Sequence, residues 1–222
     1  VESNDKPFTA SFPYLAQPNS GTGECGGDIY EPLVDVTPIK NFFVSSNTSM
    51  RVGKFTLNDD TSISNTSFIN KAVDADGIFY DEISDVLIQL NRSTNVLDMY
   101  KNVVANINNG IPPAFVASST SNFSNGREIA VSGNKIVVIQ DAAPANSNIN
   151  AFVVYSFSNT GFVYEKTLLP NVNLWGAEFS CNDLYAVEDN SNRVLLYNNI
   201  LSKSGIITAD KTVSVTGLGR TH

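Results

Sequence analysis

From about Leu33 onward, the chain is a series of short apolar runs separated by Asn, Asp, Ser and Gly. The runs have the length of β-strands, and none shows the 3.6-residue period of an amphipathic helix. Examples are "NFFVSS", "VGKFTL", "DVLIQL", "NVLDMY", "KIVVIQ", "NAFVVYSF", "DLYAVE" and "RVLLYN". The pattern predicts an all-β domain in which helix is nearly absent.

A second pattern is an internal repeat of hairpins. The stretch "NDLYAVEDNSNRVLLYNN" (Asn182 to Asn199) resembles "SDVLIQLNRSTNVLDMYKN" (Ser84 to Asn102). Two further stretches, 41–57 and 135–157, have the same form, the latter with a longer turn. Aligning the apolar positions places four residues in register: Val52, Val96, Phe152 and Val194.

Each hairpin is flanked by another short strand on both sides. The preceding strands are "LVDV", "GIFY", "EIAV" and "GAEF", and the following strands are "NTSFI", "AFVAS", "VYEKTLL" and "KTVSV". A repeat of four antiparallel strands in roughly 45–50 residues is typical of a β-propeller blade. Radial stacking of such sheets buries both faces of each blade, which explains why several strands are almost continuously apolar. The predicted blades are 33–72, 73–120, 121–171 and 172–218, with the start of a further blade at 219–222.

Two ring sizes are compatible with four repeats. The chain could form part of a six- to eight-bladed ring, or a closed four-bladed ring. We favour the larger ring, because a chain that stops on a partial inner strand would leave an unpaired sheet edge.

Residues 1–32 have a different composition, with Pro, Gly, Asn and Ser throughout. We interpret this segment as an extended tether or leader. The alternative is a disordered terminus, although Phe8, Phe12, Tyr14 and Leu15 argue that part of it is packed.

Composition narrows the classes of function. The 222-residue chain has a formal net charge of −8 and only 14 Lys and Arg residues, without a basic block, so we expect no nucleic-acid binding. The sequence has no apolar run long enough to span a membrane and no signal-peptide core, so any signal peptide has already been removed.

The cysteines and the histidine restrict metal chemistry. The only His is His222, and the two cysteines, Cys25 and Cys181, stand far apart, so a structural zinc site is not expected. In an oxidising compartment Cys25 and Cys181 could form a disulfide; the alternative is two free thiols.

Charged and aromatic residues recur in the turns that lead into the first strand of each blade. Because these turns come from successive blades, their side chains are expected to converge at the mouth of the central channel, as a metal or small-ligand site. The alternative, which we favour, is that they end strands and pair with each other across blades. The candidates are Asp74, Asp76, Arg127, Glu128, Trp175, Glu178, Arg220 and His222.

No cofactor is predicted from these residues. The stretch "DADGIFYDE" contains acidic residues but lacks the ligand spacing of an EF-hand, which leaves a divalent cation such as Ca²⁺ as a minor alternative. No nucleophile stands beside a candidate base, so we assign no catalytic residue and favour a protein that is not an enzyme.

The hairpin phrases, together with "VDADGIFYD" and "VNLWGAEF", resemble YncE-, NHL- and SMP-30-like β-propellers, and in particular uncharacterised outer-membrane lipoproteins of the Bacteroidota. The resemblance covers Leu33 to the end. It implies a cell-envelope location, at the outer-membrane surface or in the periplasm, for a secreted protein or one attached by an N-terminal lipid.

The function expected from this resemblance is a non-enzymatic, protein-binding platform. Its partners would be an outer-membrane barrel or other lipoproteins in a membrane complex, and the lipid anchor would be its only membrane association. One alternative is a metal-dependent, lactonase-like hydrolase at the channel mouth, since SMP-30-like lactonases hold a divalent metal there. Another is a glycan-binding accessory protein that uses exposed aromatics such as Phe42, Tyr100 and Trp175, although these rings could equally pack between blades.

Overall fold

The computed structural model describes residues 41–46, 51–58, 60–70, 75–109, 111–141, 150–189 and 191–216. The chain divides into the units Val1–Val34 and Asp35–His222, and every described residue lies in the second unit. The predicted leader, the predicted strand "LVDV" and the further blade at 219–222 fall outside the described residues.

The described residues form four β-sheets arranged as the blades of a β-propeller, which confirms the predicted fold class. Blade 1 contains β1 (Asn41–Ser46), β2 (Arg51–Leu57) and β3 (Ile63–Asn70). Blade 2 contains β4 (Ala75–Asp81), β5 (Val86–Asn91), β6 (Val96–Lys101) and β7 (Ala114–Ser118). Blade 3 contains β8 (Gly126–Ser132), β9 (Lys135–Gln140), β10 (Ala151–Ser158) and β11 (Gly161–Pro170). Blade 4 contains β12 (Leu174–Ser180), β13 (Asp183–Glu188), β14 (Arg193–Tyr197) and β16 (Lys211–Ser214).

Blade 3 has a fifth strand that the repeat does not predict. After β14 the chain forms a 3-10 turn (Ile200–Ser202) and then β15 (Gly205–Ile207), which pairs in parallel with β11 before the chain returns as β16. The Lys166 ammonium donates to the carbonyls of Leu201 at 2.5 Å and Lys203 at 2.7 Å. This segment therefore ties blade 4 to blade 3.

One short α-helix, α1 (Val103–Asn108), interrupts blade 2 between β6 and β7. Its amides of Val104 and Ala105 donate to the two carboxylate oxygens of Asp85 at 2.8 and 3.1 Å. Val103 and Ile107 are buried beneath it. The low helix content agrees with the apolar pattern. The pattern does not predict α1, because six residues are too few to show a helical period.

Successive blades pack through their first strands, in the order β1, β4, β8 and β12. Among the described strands, β12 and β1 do not pack together in this way. Three apolar clusters fill the spaces between neighbouring blades, and among the described residues the cluster between blades 1 and 2 has the fewest members.

The strand pairing departs from the predicted register at two of the four aligned positions, Val96 and Val52. Phe152 pairs with Ile139 and Val194 pairs with Val187, one residue before the last residue of the second strand. In blade 2 the residue at this place is Leu97, not Val96. A slip of one residue moves a side chain to the opposite face of the sheet, and Leu97 is indeed the residue that packs towards blade 3. Val52 lies in the second described strand of blade 1, whereas the other three lie in third strands.

Candidate functional site

The first strands of blades 2, 3 and 4 all begin with the same irregularity. Each pairs its first residue with the last residue of the second strand: Ala75 with Asn91, Gly126 with Gln140, and Leu174 with Glu188. The register then shifts, as at a β-bulge, which re-aims the next side chain. We call the side of the propeller where these strands begin the upper face.

The bulged position holds three of the predicted site residues, Asp76, Arg127 and Trp175. They are equivalent residues of successive blades, as the repeat predicts. The residue that follows the second strand is also equivalent in each blade: Arg92, Asp141 and Asp189. The upper face is therefore built from two rows of repeating positions.

In blade 2 these two rows are joined by Arg92. Its guanidinium lies 3.3 Å from the Asp76 carboxylate, and it donates twice to the Asn125 side-chain oxygen, at 2.6 and 3.1 Å. Asn125 belongs to the loop that leads into blade 3, and its amide donates to the Asn95 side chain at 2.9 Å. The contact thus connects blade 2 with blade 3.

In blade 3 the basic and acidic residues occupy the opposite positions: the arginine is at the bulge and the aspartate follows the second strand. Arg127, at the bulged position, donates to one oxygen of the buried Asp141 carboxylate at 2.6 and 3.0 Å. Its guanidinium also lies 4.9 Å from the centre of the Trp175 ring in blade 4, a cation–π arrangement. In blade 4 the side-chain amide of Asn173 donates to Asp189 at 3.1 Å. Blades 2, 3 and 4 therefore each carry a polar contact between the start of the first strand and the residue that follows the second strand.

Three carboxylates also lie on the first strands: Asp76, Glu128 and Glu178. Burial raises the pKa of Glu128; a hydrogen bond from the Ile129 amide partly offsets this, while the negative charges of Asp76 and Glu178 raise it further. Because β4 packs against β8 and β8 packs against β12, these three predicted residues lie on neighbouring first strands.

Gly77 allows this close approach of β4 and β8. A Cβ at Gly77 would lie 2.6 Å from the Glu128 Oε1 and 2.7 Å from the Ile129 amide nitrogen. Both distances are shorter than van der Waals contact, so no larger residue fits without moving the strands.

Three predicted residues, Asp74, Arg220 and His222, lie outside the described residues, and so does Cys25. Within the part of the chain that the structure describes, no group of three or more His, Cys, Asp or Glu side chains is placed to hold a metal ion. Sequence analysis missed Arg92, Asn125 and Asp141, which complete the polar contacts. A signal was present, because Arg92 and Asp141 directly follow the second strand of the repeat.

Cys181 lies at the opposite end of blade 4, in the two-residue turn between β12 and β13. It is exposed and disulfide-bonded, and its φ of 58° lies in the left-handed region that the equivalent Gly133 adopts at 55°. The predicted pairing with Cys25 stays a prediction.

The three aromatics considered for glycan binding have different environments. Tyr100 is buried and packs between blades, so it is not an exposed binding ring. Trp175 is half-buried under Arg127, and Phe42 stacks on Phe55 with ring centres 5.4 Å apart.

Comparison with known proteins gives the fold. No family model matches the chain, and no curated protein is significantly similar in sequence. A functionally unknown protein from Desulfotomaculum acetoxidans superposes with a TM-score of 0.57 at 13% identity, over 81% of this chain and 55% of that one. A structure from the nidogen/laminin complex gives a TM-score of 0.53 at 12% identity, over 82% and 62% of the two chains. A candidate 6-phosphogluconolactonase from Bacteroides uniformis gives a TM-score of 0.51 at 10% identity, over 72% and 47%.

These likenesses define the class of protein as a β-propeller. The chain covers between 47% and 62% of the length of the three solved structures. Among the described residues, no helix has the length and apolar character needed to cross a bilayer.

Proposed function

We propose that the protein is a non-enzymatic binding platform of the cell envelope, with its upper face turned to a protein partner. The observation that carries the proposal is that the arginine side chains of the upper face are bonded to neighbouring side chains of the protein. Arg92 and Arg127 are held by Asp76, Asn125 and Asp141, and the contact of Arg92 with Asn125 joins blade 2 to blade 3. Groups that bond each other in this way form a rigid surface, and rigidity lowers the entropic cost of association.

The location proposed for the platform is the outer-membrane surface or the periplasm, with outer-membrane barrels or lipoproteins as partners. This part of the proposal is supported by the sequence resemblance. A secreted location also agrees with the disulfide bond at Cys181, because disulfides persist in oxidising compartments.

The test is an affinity capture from membranes of the source organism, followed by reconstitution with the purified partner. We expect a one-to-one complex whose affinity falls at least about tenfold when a long charged side chain is placed on the exposed upper turn by Thr94→Arg. The matched control is Ile83→Arg, on a fully exposed turn at the opposite face. Recovery of the protein alone, or equal loss in both variants, would contradict the proposal.

A second candidate is a lactonase-like hydrolase that works at the channel mouth. It is favoured by one observation, the raised pKa of Glu128 beside two further carboxylates, because perturbed carboxyls are common among catalytic acids and bases. Lactone hydrolysis would be assayed with added Ca²⁺, Mg²⁺, Mn²⁺ and Zn²⁺. Metal-dependent turnover that Glu128→Gln abolishes would replace the platform proposal.

A further inference from the structure

A cavity of about 200 Å³ lies between blades 3 and 4. Its walls come from three parts of the chain: the loop between β11 and β12, the strands β14 and β16, and the end of β15 with the two residues that follow it. The chain leaves blade 4 after β14, pairs with β11 as β15 and then returns as β16. The cavity is the space between this crossing segment and the sheet of blade 4.

The buried part of the cavity lining is mostly apolar, and the exposed part is polar. Leu195 of β14 and Ile207 of β15 are both buried members of the lining. The exposed members are Asn171, Arg193, Thr208 and Thr212. A ligand that fits this lining has an apolar surface together with several groups that form hydrogen bonds.

One buried hydroxyl of the lining lacks a partner. Tyr197 is 1% exposed, and within the part of the chain that the structure describes its hydroxyl forms no hydrogen bond. By contrast, the equally buried Tyr155 donates to the carbonyl of Thr120 at 2.9 Å. Burial, together with the negative charges of Glu188 and Asp210, raises the pKa of Tyr197 to about 12, so the hydroxyl is protonated at neutral pH and can donate. Because buried hydroxyls are nearly always hydrogen-bonded, we expect a molecule in the cavity to supply the partner.

The charge of the lining is compensated. Arg193 donates to both carboxylate oxygens of Glu188, and an arginine has more N–H groups than this contact uses, so it can still donate to a ligand. The other polar groups at the rim are hydroxyls and an amide. A neutral ligand therefore suits the cavity better than an ion, because an unpaired charge is costly to remove from water.

We propose that this cavity binds one neutral monosaccharide. The sugar hydroxyls would bond with the polar rim and with Tyr197, while a C–H face of the ring would pack on Leu195 and Ile207. The volume suits one sugar ring, because it is below the range of about 300–1,000 Å³ that is usual for drug-sized ligands. None of the lining residues belongs to the two rows of the upper face, so this inference is independent of the proposed function.

Isothermal titration calorimetry of the full chain would measure binding of D-glucose, D-galactose, D-mannose and N-acetyl-D-glucosamine. We expect at least one of these sugars to bind in a one-to-one ratio with a Kd of about 1 mM or lower. D-Glucuronate has the same ring as glucose but carries a carboxylate, so it should bind at least about tenfold more weakly.

Two pairs of variants locate the sugar. Tyr197→Phe removes only the hydroxyl and should raise the Kd about five- to tenfold, whereas Tyr155→Phe, outside the cavity, should leave it unchanged. Without sugar the order is reversed: Tyr155→Phe should lower the midpoint of urea unfolding, and Tyr197→Phe should not, because only the Tyr155 hydroxyl has a partner in the protein. Thr208→Phe places a ring at the exposed rim and should abolish binding, whereas Thr160→Phe, on the exposed turn between β10 and β11, should not.

Absence of binding by every neutral sugar of the panel would overturn the proposal, and so would tighter binding of D-glucuronate. A Kd that Thr208→Phe leaves unchanged would place the sugar elsewhere on the protein. Equal effects of the two tyrosine variants on the Kd would show that the Tyr197 hydroxyl does not contact the sugar. A crystal structure of the full chain with the bound sugar should show it against Tyr197, and a cavity that holds ordered water alone would contradict the assignment.

Discussion

The interface between blades 3 and 4 and the interface between blades 1 and 2 occupy equivalent places in the repeat. Between blades 3 and 4, blade 4 contributes Ala186 and Leu195, and both belong to the apolar cluster. At the same positions blade 2 presents Gln89 and Asp98 to blade 1, and both are buried. The repeat therefore conserves the geometry of the contact while its chemistry changes from apolar to polar.

The polar groups of the first interface are satisfied to different degrees. Asp98 accepts hydrogen bonds from Asn91 at 3.0 Å and Ser118 at 2.5 Å. Gln89 is 0% exposed, and neither polar atom of its side chain has a hydrogen-bond partner. Lys54 is also buried there, where desolvation lowers the pKa of its ammonium although Asp85 partly offsets the effect. The interface between blades 1 and 2 should contribute less to stability, because its apolar cluster has fewer members in the part of the chain that the structure describes and it buries groups that prefer water.

Truncation of one aromatic ring in each interface should give the largest difference between them. Phe152 is fully buried between blades 3 and 4, with its ring centre 5.2 Å from that of Tyr197. Phe43 is half-buried between blades 1 and 2, with its ring centre 4.4 Å from that of Tyr80. We expect Phe152→Ala to reduce the free energy of unfolding by about 3–5 kcal/mol and Phe43→Ala by about 1–2 kcal/mol.

Urea unfolding followed by fluorescence and circular dichroism would measure both values. Val163→Ala, at an exposed position of β11, is the control for loss of an apolar side chain without loss of packing. Equal costs for the two phenylalanines would show that the two interfaces contribute alike to stability, contrary to the comparison.

The sequence predicts the apolar interface better than the polar one, for a physical reason. Runs such as "KIVVIQ" predict a strand that is buried on both faces, and β9 is such a strand. In "DVLIQL" the same pattern predicts β5, but it does not reveal that Gln89 lies inside the molecule. Burial of an amide depends on which blade stacks on it, and that is a property of the assembled fold.

The upper face was predictable to a similar extent. The repeat places Asp76, Arg127 and Trp175 in the turns of successive blades, and in the structure each follows the first residue of its strand, where the register shifts. Arg92, the partner of Asp76, also contacts Asn125 at 2.6 Å. Because Arg92 and Asn125 are far apart in the chain, this contact could not be derived from local spacing. Single-residue irregularities such as the bulges, which set the direction of these side chains, also have no clear sequence signal.

Replacement of the buried amide should have a smaller effect of opposite sign. Gln89→Leu removes a side chain whose polar atoms lack partners, and it restores the apolar character of the equivalent Val138 and Ala186. We expect the free energy of unfolding to rise by about 1–2 kcal/mol, because burial of an unsatisfied amide is unfavourable.

The matched control is Gln140→Leu. Gln140 ends the second strand of blade 3, and its side-chain oxygen accepts the Ser124 amide at 2.8 Å. The same substitution should therefore lower the free energy of unfolding there by about 1–2 kcal/mol. If the free energy of unfolding changes in the same direction in both variants, hydrogen bonding does not distinguish the two glutamines.

The smallest expected effect is a change in pH dependence at Glu128. Because burial raises the pKa of this carboxyl in the folded protein, the folded state holds the proton more tightly than the unfolded state. Its contribution to stability is then complete below the unfolded pKa of about 4.3, and it is lost as pH rises through the folded pKa. Glu128→Gln cannot ionise, so the variant should exceed the unmodified protein in stability at pH 7 by about 0.5–1 kcal/mol, and the two should converge below pH ~4. Urea unfolding from pH 4 to pH 8 would measure this difference, with the exposed Glu82→Gln as the control. A constant difference between Glu128→Gln and the unmodified protein across that range would mean that packing, and not ionisation of the carboxyl, causes the change.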